Sequence, residues 1–286
     1  MAEPLLVRHG VTHPVAVLRA LDGSPDRVLV DDGLPVVADP RLAAAGAPHR
    51  DAVLRAAPAT WNGAILGFRA LDGDTVVAGR TDYFTMLATS DALRAELVAR
   101  GDGGPMRTLA WELAGGDPRW SGAGRASVVG ISILVVLTHG DDAWLVLGRR
   151  GTDLAVSPGL VGTIDGCTEP GASDRPITEN LARELAEEAP GIVALSGASA
   201  SELARGARLQ GLTMNMLRLS PTISVEIRVP LPRPPDAAGL LAREEFSGAM
   251  LVEATPEGLA GVWTAPEPVA PPAAGALALW ESRYFL

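Results

Sequence analysis

The chain has 286 residues, 47% of them hydrophobic and 20% charged, and a net charge of −10. That length fits one large domain or two of ordinary size, and that balance excludes a disordered chain. The negative charge argues against coating DNA or RNA through a basic surface. It leaves small phosphorylated ligands open, because a bound metal reverses the sign locally.

The longest apolar run, Ile131 to Leu137 broken by Ser132, is far short of the ~20 residues a membrane span needs. The opening segment has no basic region followed by an apolar core, so no secretory signal is expected. A single cysteine, Cys167, rules out an internal disulfide and points to a reducing cytoplasm. All 24 basic residues are arginine, the codon bias of a GC-rich bacterial genome.

Taken in chain order, Val15–Leu18, Val28–Val30 and Ala64–Phe68 predict short strands. Asp91–Arg100 predicts a helix, with Leu93 and Leu97 four apart and Gly101 as its stop. The Gly- and Pro-rich stretch Gly115–Gly124 reads as a linker, which sets a domain boundary near residue 125. Beyond it, the apolar run Gly130–Thr138 predicts a buried strand. His139–Asp142 is a turn and Ala143–Gly148 the returning strand of a hairpin. Leu160–Ile164 predicts a third strand. Pro176–Ala189 predicts a helix that starts on Pro176 and stops at Pro190-Gly191. Strands follow at Leu209–Leu219 and Thr222–Val229, parted by Ser220-Pro221. Then come a short helix at Ala237–Phe246, a strand at Ala249–Glu253 and a closing helix at Ala274–Tyr284. Mixed strands and helices in this order predict a sheet covered by helices.

The chemistry concentrates in the helix at 176–189. At about 100° per residue, Glu184, Glu187 and Glu188 fall within roughly one third of its circumference. Ile177, Leu181 and Leu185 form an apolar stripe that can anchor it on a sheet. Like charges one turn apart repel by a few tenths of a kcal/mol per pair even in water, and by more in a cleft. A divalent cation removes that repulsion. Magnesium and manganese favour such hard carboxylate oxygens, with water and phosphate completing the shell.

These residues resemble the Nudix hydrolase family. Its motif runs Gly, five residues, Glu, seven residues, then Arg-Glu-apolar-x-Glu-Glu-x-Gly-apolar. Here Gly166-Cys-Thr-Glu-Pro-Gly-Ala172 is followed, ten residues later, by Arg183-Glu-Leu-Ala-Glu-Glu188-Ala-Pro-Gly191-Ile192. Ala172 stands where the family has Glu, and the chain carries insertions before Arg183 and at Pro190. The hairpin ending in Leu147-Gly-Arg-Arg150, then Ser157-Pro158-Gly159, matches the family's approach to the motif. The resemblance implies a Nudix-type α/β/α sandwich over residues 126–286, with residues 1–125 a fused N-terminal α+β region.

It further implies hydrolysis of a phosphoanhydride bond in a nucleoside diphosphate linked to another group, using Mg2+ or Mn2+. Glu184, Glu187 and Glu188 would be the metal ligands, joined by the backbone carbonyl near Gly166. Glu184 and Glu187 would take part in catalysis, and Arg183 would orient a carboxylate. Arg149 and Arg150 are candidates to grip phosphate. Glu226, Glu244 and Glu245 are candidates for a general base, and Glu169 or Asp174 for the role that Ala172 cannot play. The partner is then a small nucleotide-type substrate, with neither membrane nor nucleic acid. The N-terminal region either shapes specificity or forms a homodimer.

Two other readings stand beside this one. Ala172 and the insertions suit a Nudix-like nucleotide-binding module with weakened catalysis. Arg8-His9-Gly10 and His139-Gly140 resemble the paired His-Gly strands of histidine phosphatases, which would make the protein a phosphomonoesterase. Cys167 reads as a packing residue, and the scattered tryptophans as core or interface anchors.

Overall fold

The computed structural model describes residues 5–101, 103–152, 158–171 and 175–286. A hairpin of β1 (Leu6–Arg8) and β2 (Val11–His13) leads into β3 (Val15–Ala20). A 3-10 turn at Pro25–Val28 precedes β4 (Leu29–Pro35) and helix α1 (Pro40–Ala56). Strands β5 (Ala64–Asp72) and β6 (Thr75–Asp82) follow, then α2 (Tyr83–Met86), a π turn (Leu87–Asp91), α3 (Ala92–Arg100) and α4 (Pro105–Leu113). The second half opens with β7 (Gly130–His139), β8 (Asp142–Arg150), β9 (Val161–Gly162) and β10 (Ile164–Cys167). Helices α5 (Pro176–Glu188), α6 (Pro190–Ser196) and α7 (Ala200–Arg205) come next. It closes with β11 (Arg208–Asn215), β12 (Ser220–Pro230), β13 (Phe246–Glu253), α8 (Pro256–Thr264) and α9 (Pro271–Tyr284).

The central sheet has the order β13-β8-β7-β12-β11-β3, with β10 added to β7 and β9 to β8. It is mixed: β7 and β12 run parallel from Gly130 beside Thr222 to Thr138 beside Pro230, and the other pairs are antiparallel. Successive side chains on a strand point to opposite faces. On β7, Ile131, Ile133, Val135 and Leu137 therefore share one core with Ile177, Leu181 and Leu185 of α5. Leu134 and Val136 share the other with Trp263 of α8 and Leu277 and Trp280 of α9. Helices thus cover both faces, an α/β/α sandwich. This double burial is why β7 reads as a nearly unbroken apolar run.

The predicted division near residue 125 does not interrupt the packing. Strand β3 joins the central sheet beside β11, from Val15 opposite Asn215 to Ala20 opposite Gly211. The linker is held by Arg125, whose fully buried guanidinium donates to the carbonyls of Ala110, Pro118 and Ser121 and to Ser127 Oγ. A buried guanidinium needs about this many acceptors. The three-stranded sheet β4-β6-β5 lies before it in sequence, and β5 bonds across the linker, Phe68 N–H to the Ser127 carbonyl and Val129 N–H to that of Leu66.

Several boundaries differ from the sequence reading. Pro190 does end α5, but it also starts α6, because proline suits the first turn of a helix. Gly191 is needed there, since a Cβ would collide with the Gly239 carbonyl. Ser220 and Pro221 belong to β12, and the break falls at 216–219, where Leu219 adopts φ 54. The predicted strand at 160–164 is split into β9 and β10. Residues 237–245 form turns, not a helix, and β13 starts at Phe246. The stop at Gly101 is as expected: it is left-handed at φ 81 and its N–H caps the Leu97 carbonyl.

One charged cluster pins the 216–219 loop to the first half of the chain. The Asp91 carboxylate at the end of the π turn lies 2.6 Å from Arg218 Nη2, 2.7 Å from His49 Nε2 and 3.0 Å from Arg94 Nε. Ser90 Oγ donates to the Arg218 carbonyl at 2.5 Å, and Arg107 Nη2 to the Met216 carbonyl at 2.7 Å. Burial alone would raise the Asp91 carboxyl. Arg218, His49 and Arg94 outweigh it and hold the group well below the usual carboxylate range.

Two measurements check this packing. Leu181→Ala, which empties a fully buried site under β7, should cost about 2–5 kcal/mol in urea unfolding with little change in slope. Asp91→Asn should cost about 1–3 kcal/mol at pH 7, since it removes the buried carboxylate that pairs with the partly buried Arg218 and Arg94. The Asp91 pKa is depressed in the folded state, so its stabilisation is full above the unfolded value near 4 and fades as pH falls further. The gap between wild type and Asp91→Asn should therefore narrow below about pH 4. A constant gap from pH 7 to pH 3 would show that the carboxylate is not held as described.

Candidate functional site

Helix phase decides which glutamates enter the protein. Measured around α5 from Leu181, Ile177 lies at about −40° and Leu185 at about +40°. On the same scale Glu188 falls at about −20°, inside the apolar stripe, Glu184 at about −60°, and Glu187 at about −120°. The side chains follow this order. Glu184 and Glu188 are buried, at 5% and 6% exposure, while the Glu187 side chain is 62% exposed. Hence the structure brings Glu184 and Glu188 together at one wall and turns Glu187 outward.

That wall belongs to a cleft of about 470 Å³. Asp165, Gly166 and Cys167 of β10 lie beside the two glutamates. Arg150 at the end of β8, paired with Glu245 before β13, also lines it, as do Gly130 and Ile131 of β7. Tyr83, Met86 and Arg94 enter from the first half of the chain, and Asn215, Leu217 and Arg218 from the β11–β12 loop. The Glu184 carboxylate is pressed so closely on Gly166 that a Cβ there would overlap it.

The site holds more negative charge than its surroundings offset. Burial pushes Glu188 up to about 9; Arg150 opposes this, while Asp165, Glu184 and Glu245 add to it. Burial likewise lifts Glu184 to about 7 against the pull of Arg183, with Glu187 adding to the rise. Asp165 is raised by burial as well. Carboxyls in this condition either take up protons or accept a cation. Among the described residues, no three His, Cys, Asp or Glu side chains are gathered tightly enough to enclose a metal ion. The donor set is therefore two buried carboxylates beside a strand backbone. That chemistry fits a hard divalent cation whose shell is completed by water and phosphate.

Arg183 ties the helix to the loop before it. Its Nη2 lies 2.8 Å from Glu184 Oε1 and donates to the Cys167 carbonyl at 2.9 Å and to Asn180 Oδ1 at 3.0 Å. Its Nη1 lies 3.5 Å from Glu169 and 3.7 Å from Glu187. Asn180 accepts from the Glu169 N–H and donates to its carbonyl. Ala172, Asp174 and Ser157 lie outside the described residues.

The two candidate phosphate arginines separate. Arg150 lines the cleft, nearly buried, with Nη2 3.0 Å from Glu245 Oε2. Arg149 pairs with Glu267 at 2.7 Å in solvent and does not line the cleft, because neighbours on a strand point to opposite faces. Among the candidate bases, Glu245 lines the cleft and Glu244 is exposed. Glu226 is buried elsewhere, under the Tyr284 hydroxyl at 2.9 Å and beside Arg228 at 2.5 Å. Cys167 lines the cleft, but burial pushes its thiol up to about 11, which suits packing and not nucleophilic attack. Arg8 pairs with Glu281 and His9 sits on the exposed β1–β2 turn at φ 47. His139 lies with its Nδ1 3.1 Å from the Leu231 carbonyl. Neither histidine lines the cleft, so the segment resembling a phosphatase forms no site there.

Sequence reasoning missed Tyr83, Arg94 and Arg218. The i,i+3 pairing of Asp91 with Arg94 is visible in the sequence, but nothing local links either to residue 218.

No family model matches the chain, and no curated protein does. Solved structures match over about half of this chain. One is a protein of Deinococcus radiodurans, 20% identical over 56% of this chain and 83% of that one, with a TM-score of 0.37. Another is the NUDIX domain of Shewanella oneidensis NrtR, 13% identical over 56% of this chain and 89% of that one, TM-score 0.37. A third is a NUDIX hydrolase of Alicyclobacillus acidocaldarius, 14% identical over 54% of this chain and 89% of that one, TM-score 0.34. With its α/β/α layers and Glu184 and Glu188 of the Arg183–Glu188 run lining a cleft beside Gly166, the second half of this chain resembles the Nudix hydrolases.

Proposed function

We propose that the cleft hydrolyses a phosphoanhydride bond in a nucleoside diphosphate linked to another group, with Mg2+ or Mn2+ as cofactor. The observation that carries this reading is the pair of buried carboxylates in one cleft, Glu184 set against Gly166 and Glu188 against the Asp165 N–H within reach of the Arg150 charge. Glu184 and Glu188 would hold the cation with the backbone near Gly166, and Glu187 would join them by a change of rotamer, since its side chain is exposed. When bound, the cation lowers the pKa of a water and neutralises charge on the leaving phosphate.

The chain's own groups would do the rest. Arg183 positions Glu184 and fixes the loop through the Cys167 carbonyl. Arg150 offers a planar guanidinium to phosphate oxygens, and Glu245 holds it in place until the substrate arrives. Glu184 or Glu245 would accept the proton of the attacking water, each within the cleft. Positioning and electrostatics of this kind supply most of what phosphoryl transfer needs.

A second reading, a nucleotide-binding module with weakened catalysis, is favoured by the outward turn of Glu187 and by the lack of three converging carboxylates among the described residues. One assay separates the two. Purified protein is mixed with a panel of nucleoside diphosphate esters in Mg2+, Mn2+ or EDTA. Turnover should require the cation. Glu184→Gln and Glu188→Gln should each lower kcat on the order of 100-fold or more while circular dichroism stays unchanged, and Arg183→Ala about 10–100-fold, as for groups that orient ligands. Binding of a nucleotide without turnover in either metal would decide for the module. Undiminished turnover in both glutamine variants would place the chemistry elsewhere.

A further inference from the structure

Part of the cleft lining comes from segments of the chain outside the motif. Arg94 enters from α3 and Arg218 from the β11–β12 loop, with Tyr83 of α2 beside them. Both arginines are anchored on one carboxylate. Asp91 takes Arg94 Nε at 3.0 Å, Arg94 Nη2 at 3.2 Å and Arg218 Nη2 at 2.6 Å. Two guanidinium charges against one carboxylate leave this corner net positive.

The anchor is itself rigid. The Asp91 side chain is 4% exposed and ends a buried π turn, a feature frequent at functional sites. The loop bearing Arg218 is fastened at three points, by Ser90 on the Arg218 carbonyl and by Arg107 on those of Met216 and Leu217. These bonds hold the backbone that carries Arg218, while the Asp91 carboxylate holds both guanidinium groups. Packing needs nothing of the kind here: a single arginine would neutralise Asp91, and the outer one, Arg94, remains one-third exposed at the cleft. The same cleft is lined by Glu184, Glu188 and Asp165. It therefore carries both carboxyls suited to a cation and guanidinium groups suited to an anion.

Resting on the hydrolase reading above, we infer that Arg94 and Arg218 form a subsite for a second phosphate group of the substrate, outside the linkage that is cleaved. Arginine pairs bind phosphate oxygens through several charge-assisted bonds at once. The preferred substrate is then a nucleoside diphosphate ester that carries an additional phosphomonoester, on either the nucleoside or the attached group. Arg94 and Arg218 are specificity residues in this scheme and touch no reacting atom, while Asp91 positions them.

Three compounds test this: ADP-ribose, ADP-ribose 2′-phosphate and ADP-ribose 1″-phosphate. They differ by one phosphate, placed at the nucleoside end or at the distal end. Two readouts are taken on the full chain, kcat/KM with Mg2+ and binding by calorimetry in EDTA. Wild type should favour one phosphorylated compound over ADP-ribose by about ten- to a hundredfold, and which one tells the end that faces the arginines. Arg94→Gln leaves Asp91 paired with Arg218 and His49. It should erase most of that preference through KM while leaving kcat and the ADP-ribose value within about threefold. Arg218→Gln should do the same where thermal melting shows that it folds; where it does not, Arg94→Gln decides alone. Equal use and equal binding of all three compounds by wild type would overturn the subsite and leave the hydrolase reading standing. Absence of turnover, with a binding preference that Arg94→Gln removes, would overturn the hydrolase reading and leave the subsite standing. A preference that Arg94→Gln leaves intact also overturns the inference.

Discussion

The central constraint on this molecule is the phase of α5. The helix has to present Ile177, Leu181 and Leu185 to the sheet, and those residues are fully buried. Glu184 and Glu188 lie so near that stripe that they are carried inside with it. Burying two carboxylates is unfavourable by several kcal/mol each unless something compensates. The surroundings of α5 can be read as partial answers to that problem. Arg183 lies against one carboxylate, Arg150 opposes the charge on the other, and a residue without a side chain, Gly166, makes room. The answers are incomplete, and the deficit of positive charge is what makes the place chemically useful.

Much of the second half was legible because its periodicities are strong. The apolar run of β7 and the four-residue spacing of Leu181 and Leu185 are local signals that burial then enforces. The split between Arg149 and Arg150 also follows from strand alternation, and that between Glu187 and Glu188 from helix phase. Both needed the boundaries of β8 and the burial of α5 to be known first. The helix α1 carries Gly46 and Pro48 within an alanine-rich run, so its sequence looks like a break. Gly46 is there because a Cβ would strike the Ala88 carbonyl of the π turn. The part of the cleft outside the motif was illegible for a different reason. Asp91 and Arg218 are 2.6 Å apart in space and far apart in sequence, and no residue near either one encodes the other.

The chain's two halves are better described as one packed body than as a motif with an appendage. The first half contributes an edge strand to the central sheet, a wall to the cleft and the anchor of the loop that completes it. Arg125, buried at the junction, holds the connecting segment to carbonyls on several of its turns. A glycine-rich linker in sequence is thus a fixed element in space, because its carbonyls are taken up by the Arg125 guanidinium at Pro118 and Ser121 and by backbone N–H groups at Trp120, Gly122 and Gly124.

The place of β3 has a consequence for how the chain assembles. It leaves the ribosome well before its partner β11, which follows almost two hundred residues later. Until then β3 presents unpaired N–H and C=O groups with no ladder to join. Contacts of such sequence separation lose loop entropy before they return any stabilisation, and they slow folding. The sheet therefore closes late, and its last edge is sealed by its first strand. During that wait β3, with Val15 and Ala16 that end up buried, is an open template for any other extended chain.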